Sequence, residues 1–186
     1  MIYKFFKLVF QTQNFFMYLN PNPADFIFIS KHDHCEVRQN KDNQHKSLFA
    51  NTAFKVGDQI ATFDASKIVD TPNYLTVQIS ETKHIHLFPA YLQYINHSCE
   101  PNVLFNTTTM QLECVSDIKV GDELCFFYPA TEWRMAQQFV CNCGRPSCVG
   151  LIQGAADTDS AILKKYKLTD FIKSMAAQYK SLLLLF

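Results

Sequence analysis

Over most of the chain the apolar residues fall in short β-rich runs divided by polar turns, the pattern expected of strands. The runs "FIFIS" (26–30), "CEVR" (35–38), "LFANTAF" (48–54), "QIATF" (59–63), "YLTVQIS" (74–80) and "HIHLF" (84–88) are separated by polar turns such as "NKDNQ" and "KVGD". Two more strands are predicted at "VLFN" (103–106) and "LECV" (112–115), joined by a Thr-rich turn. A further run, "ELCFFY" (123–128), leaves a second "KVGD". Helical spacing appears only late. "TEWRMAQQF" (131–139) predicts two helical turns with Thr131 as N-cap, and 157–186 predicts one or two amphipathic helices with Asp and Ser caps. The pattern is that of a mainly β domain with C-terminal helices and no internal repeat.

Composition narrows what such a domain could do. With 186 residues the chain can bury a sizeable core, and 48 % of them are hydrophobic. Seventeen basic residues balance seventeen acidic ones, so nothing marks a surface built to coat a polyanion, and no direct nucleic-acid partner is expected. No run of 18 apolar residues exists to span a bilayer, and the terminal "SLLLLF" is short enough to dock on the core instead. "NPNP" (20–23) closes an N-terminal extension, residues 1–23. Its first sixteen residues carry two lysines, no acid and many aromatics. They read either as an organelle-targeting leader without the usual Arg and small-residue pattern, or as sequence ahead of a start at Met17.

The seven cysteines change the picture most. An odd count does not suggest a disulfide framework, so the setting expected is reducing and intracellular, cytoplasmic or nuclear. Cys141, Cys143 and Cys148 fall within eight residues, "CNCGRPSC", where Gly144 permits a tight turn and Pro146 stiffens it. Three thiolates so spaced suit zinc, and a closed tetrahedral site needs a fourth. Cys35, Cys99, Cys114 and Cys125 are the candidates. Cys114 and Cys125 sit inside strand runs and read as core, and Cys35 opens a strand. Cys99 lies in a polar loop, "YINHSCEPNV" (94–103), onto which the knuckle could fold. Five histidines (His32, His34, His45, His84, His86) show no spacing matched to the knuckle. His84 and His86 share a strand face and read as surface or satisfied core.

"NHSCEPN", "GDELCFFY" and "CNCGRPSCVG", in that order, resemble the SET domain and the zinc motif that follows it. The resemblance covers roughly residues 35–152. It implies a SET domain over 24–130 with a pseudoknot, a post-SET zinc knuckle over 131–152 and a helical segment over 153–186. The activity it implies is S-adenosylmethionine-dependent methyl transfer, in most of the family to a protein lysine. Residue by residue, Asn96 and His97 match the loop under the cofactor, and Asn102 holds that loop's shape. Tyr128 matches the tyrosine at the methyl-transfer centre. Phe126 and Tyr94 fall in the substrate pocket, and Phe126, lacking a hydroxyl, would admit two or three methyl groups. Cys99, Cys141, Cys143 and Cys148 match the zinc ligands. Trp133 and Phe139 lie in the linker that closes over the cofactor, so either could cap the adenine or pack in the core.

The family's opening Gly-x-Gly aligns with "HKSLFA" (45–50), so Lys46, Ser47 and Leu48 fall at the cofactor while His45 and Ser47 replace glycines. The segment from Ser47 to Asn96 is also short for the region that selects a peptide. Three readings follow: a protein-lysine methyltransferase, a zinc-stabilised binding module without catalysis, and an enzyme acting on a small amine or a non-histone protein. The chemistry common to the enzymes is clear. An amine with a pKa near 10.4 must shed its proton and be held in line with a sulfonium methyl group.

Overall fold

The computed structural model describes residues 22–183. The readings made of residues 1–21 lie outside that range. The expected docking of "SLLLLF" falls on residues 181–186, whose side chains are likewise outside it. Strands β1 (Phe26–Lys31), β2 (Cys35–Asn40) and β3 (Lys46–Ala50) form one antiparallel sheet in sequence order. β4 (Gln59–Thr62), β5 (Asp64–Val69), β6 (Thr76–Gln78) and β7 (His84–Phe88) follow. Then come β8 (Asn96–His97), β9 (Val103–Asn106), β10 (Gln111–Cys114), β11 (Cys125–Phe126), β12 (Phe139–Val140) and β13 (Leu151–Ile152). Two helices close the chain, α1 (Ser160–Leu163) and α2 (Asp170–Leu183). The remaining sheets are β5-β7-β6, β4-β10-β9 and the antiparallel pair β12-β13, with β8 and β11 paired in parallel.

Two cores hold these pieces together. The larger gathers Val37, Leu48, Ile85, Phe105, Leu112 and Leu124 from the three larger sheets and the loops between them. β3 is buried at every position after Lys46, because the 121–124 segment covers it. Ala50 N–H donates to the Asp122 carbonyl at 2.9 Å and Leu124 N–H to the Leu48 carbonyl at 2.8 Å. The second core packs α1 and α2 under the end of the domain, through Phe127, Trp133, Ala155, Leu163 and Ile172. Among the described residues no helix is long and apolar enough to cross a membrane.

Several expected elements change length for visible reasons. The strand expected over 48–54 stops at Ala50, where the Asn51 side chain donates to the carbonyls of His32 and Cys35 and turns the chain. The strand over 74–80 starts at Thr76, because Asn73 forms a side-chain turn with Leu75 N–H at 2.8 Å. β5 was not expected; its sequence, DASKIV, is exposed along most of its length and shows no alternation to read.

The helix predicted over 131–139 does not form. Trp133 N–H donates to the Gln78 side-chain oxygen at 2.7 Å, and the Glu132 and Trp133 carbonyls accept from Ala155 and Ala156. Hydrogen bonds to two other parts of the fold take these groups, and the segment runs as a bent, irregular strap. Gly154 is needed where the strap passes, since a Cβ there would lie 2.3 Å from the Trp133 carbonyl oxygen. At the C-terminus both helices form, α1 with Asp159 as its N-cap.

Candidate active site

The polar loop at 94–103 is polar because two strands meet there. β8 runs parallel to β11, placing Asn96 beside Cys125 and His97 beside Phe126, a crossing of the two segments that the expected pseudoknot would bring together. Asn102 fastens it with both ends of its side chain. Its Oδ1 accepts from Cys125 N–H at 2.8 Å and its Nδ2 donates to the Glu123 carbonyl at 2.8 Å. A backbone turn of this kind would otherwise leave buried polar groups without partners.

Beside the crossing lies a cavity of about 570 Å³, within the range of small-molecule sites. Of the site residues expected from sequence, Lys46, Tyr94, Asn96, Phe126 and Tyr128 line it, and so do His45 and Phe139. Phe126 and Tyr128 hold their rings 4.6 Å apart. Trp133 is elsewhere, in the second core against Tyr179, so of the two linker aromatics Phe139 alone faces the cavity. Burial drives the Tyr128 phenol well above its ordinary range, so it is a neutral donor and acceptor at pH 7, not a base.

Ser47 and Leu48 do not line the cavity; both are buried in β3. Ser47 instead serves Asn96. The Asn96 Nδ2 donates to the Ser47 hydroxyl at 2.8 Å, the Lys46 carbonyl at 3.2 Å and a Glu123 carboxylate oxygen at 3.1 Å. Its Oδ1, which accepts nothing among the described residues, is the end left for a ligand. The backbone at His45 and Ser47 does not need glycine, because the left-handed residue of this turn is Gln44, with φ of 62°.

His97 joins the cavity to the cysteines. Its Nδ1 accepts from Tyr128 N–H at 3.4 Å, and its Nε2 lies 3.4 Å from the Cys99 sulfur. Burial lowers its pKa to about 4, so the ring is neutral, and the acceptor at Nδ1 puts the proton on Nε2. The ring also packs edge-on against Tyr128 and Phe139, at 5.1 and 5.7 Å between centroids.

The sulfurs of Cys99, Cys141, Cys143 and Cys148 all lie within 4.8 Å of one another, with 3.9 Å between Cys99 and Cys141. Zinc–sulfur bonds of about 2.3 Å in a tetrahedron put sulfurs roughly 3.8 Å apart, so the residues fit that ion. Cys143 N–H points at the Cys141 sulfur and Val149 N–H at the Cys99 sulfur, both at 3.4 Å, as donors around thiolates do. Burial pushes the Cys141 thiol up to about 12, so without a cation this thiol keeps its proton. Cys35 and Cys114 are buried in the larger core, away from the cluster.

Two residues that sequence reasoning passed over also belong here. Glu132, read as part of a helix, lines the cavity from the strap. His84, read as surface or satisfied core, is neither: it is buried, and among the described residues neither ring nitrogen has a hydrogen-bond partner. Its Nε2 is 3.9 Å from a Glu132 carboxylate oxygen. A lone Glu in an expected helix and one His of "HIH" give no sequence signal of that meeting, because 48 residues and a sheet separate them.

The SET-domain family model matches residues 9–129. A methyltransferase of Aspergillus flavus, flvH, is 42 % identical over 106 residues, covering 56 % of this chain and 59 % of that protein. A histone-lysine N-methyltransferase of Schizosaccharomyces pombe, H3 lysine-36 specific, is 36 % identical over 74 residues, 37 % of this chain and 9 % of its own length. The human protein of the same description is 28 % identical over 120 residues, covering 60 % of this chain and 4 % of its own length. The chain thus spans about three fifths of the first relative and less than a tenth of the others. The family model covers well over half of the chain, and the chain belongs to the SET-domain family.

Proposed function

We propose that this chain transfers a methyl group from S-adenosylmethionine to an amine, with the lysine of a protein as acceptor. The observation that carries the reading is one cavity shared by the polar crossing, through Asn96, and by Tyr128 with Phe126. Relatives named as methyltransferases, two of them histone-lysine specific, support it. When bound, S-adenosylmethionine supplies a methyl group on a sulfonium, and Lys46 and Asn96 are the residues placed to hold it. The apolar walls, Phe105, Phe126 and Leu87, strip water from an entering amine and so favour its neutral, nucleophilic form. Tyr128 orients that nitrogen through a phenol that stays protonated. Phe126 puts no hydroxyl in the pocket, which leaves room for more than one methyl group. Zinc, held by Cys99, Cys141, Cys143 and Cys148, would fix the strap's far end against the crossing.

The test is calorimetric titration of zinc-loaded protein with S-adenosylhomocysteine, followed by methyl transfer to a peptide array and a small-amine panel. Roughly micromolar binding and labelling of lysine peptides, abolished in Tyr128→Phe, are expected. No binding of this reaction product would leave a zinc-stabilised binding module. Labelling confined to small amines would replace the protein substrate.

A further inference from the structure

We propose that Glu132, with His84 against its free oxygen, is a cation site in this cavity that receives the substrate's amine as an alkylammonium group, ahead of the proton loss that methyl transfer requires. The inference rests on the proposed methyl transfer only for the name of the reaction; the site is argued from its own geometry. Among the described residues that line the cavity, Glu132 is the one acidic side chain. Its side chain is nine-tenths buried, so the cavity is where its charge is felt.

One carboxylate oxygen is occupied. Oε1 accepts from Gln78 N–H at 2.9 Å and from the Thr131 hydroxyl at 3.4 Å. Oε2 has only His84 Nε2 at 3.9 Å, beyond hydrogen-bond reach, and among the described residues no Lys or Arg nitrogen lies within 4.0 Å of it. Among the described residues neither His84 nitrogen has a hydrogen-bond partner, and its burial keeps it neutral. A buried carboxylate facing an unpartnered imidazole is a costly arrangement that asks for a further group. An ammonium ion is such a group: three donors and a positive charge for Oε2.

The position is held firmly from outside the pair. Glu132 N–H donates to the Tyr128 carbonyl at 3.0 Å, and the Glu132 carbonyl accepts from Ala155 N–H at 2.8 Å. The carboxylate is therefore fixed one turn from the tyrosine placed to orient the amine. Burial raises its pKa to about 7, so an arriving cation finds a group that is ionised at slightly alkaline pH.

Calorimetry with n-pentylammonium and its neutral isostere 1-pentanol at pH 8, with and without S-adenosylhomocysteine, tests the site. The expected result is at least tenfold tighter binding of the ammonium to the wild-type protein. In Glu132→Gln, which keeps an acceptor for Gln78 and Thr131, that preference should vanish while zinc content is retained. Equal binding of amine and alcohol, binding of neither, or a preference surviving in Glu132→Gln would overturn the inference. Failure of S-adenosylhomocysteine alone would count against methyl transfer and leave the ammonium comparison to judge this site. The wild-type comparison needs no variant to fold.

Discussion

The Asn96 carboxamide donates to the Ser47 hydroxyl at 2.8 Å, across 49 residues of sequence. Serine stands here where the family pattern has glycine, and the hydroxyl does something a glycine cannot. It takes one hydrogen of an amide that also serves the Lys46 carbonyl and Glu123, and so orients Asn96 with its oxygen uncommitted.

Restoring the family's residue should therefore weaken the site. Ser47→Gly removes a buried acceptor from a strand and adds backbone freedom, costing about 1–2 kcal/mol of stability. Affinity for S-adenosylhomocysteine should fall several-fold, and in Asn96→Ala by roughly tenfold or more. Thermal melts and calorimetry check both. Tighter binding by Ser47→Gly would mean that the serine merely obstructs the loop.

The cysteine cluster predicts a metal dependence with a direction in pH. Cys143→Ser should lose zinc and increase hydrogen exchange in β12, β13 and the knuckle between them, leaving β1–β3 protected. Thiols must lose their protons to bind the ion, and Cys141 sits at about 12 without it. Zinc retention should consequently fall as pH is lowered. Elemental analysis of protein dialysed at pH 8 and at pH 5.5 measures this. Metal-free protein with an unchanged melting temperature would remove zinc from the account.

Tyr166 links α1's end to the same cluster. Its ring stacks on Phe127 with centroids 3.7 Å apart, and its hydroxyl donates to the Cys99 carbonyl at 2.9 Å. Tyr166→Phe keeps the stack and deletes the hydrogen bond, so stability should drop by about 1 kcal/mol. Faster zinc release to a chelator should accompany the drop. An unchanged release rate would show that the C-terminal helices support the core without steadying the knuckle.

How much of this was legible varies with the kind of signal. β7 and β9 match the expected runs residue for residue because each is a short apolar-rich run bounded by clear turns. Cys99 could be singled out since it alone of four candidates lay in a polar loop. The strap could not be read. Helical spacing in "TEWRMAQQF" is real, but Gln78 from β6 and Ala155 from beyond the knuckle take its backbone groups, and both partners are far off in sequence. β5 escaped notice because an exposed edge strand has no buried face to impose a period. His84 gives no signal for a related cause: the carboxylate that approaches it to 3.9 Å belongs to Glu132, on the strap 48 residues further on.

The Glu132 carboxyl gives the last prediction, a stability that depends on pH with a definite sign. Its pKa is about 7 in the fold against an ordinary 4.5, because burial penalises the charge. A group raised in the folded state contributes its full stability below 4.5 and loses it as pH climbs to 7. At about 1.4 kcal/mol per pH unit, a rise from 4.5 to about 7 puts the loss at roughly 3 kcal/mol. His84 acts in the opposite sense, since its lowered pKa removes stability as pH falls below 6.5. The wild-type curve alone would mix the two. Comparison with Glu132→Gln separates them, because the variant keeps His84 and drops only the carboxyl. The variant should gain on the wild type steadily from pH 4.5 to 7, then hold a constant lead, as measured by urea unfolding at fixed pH. Parallel curves would mean that water in the cavity solvates the carboxylate fully, and a cation there would then gain little over one in bulk solvent.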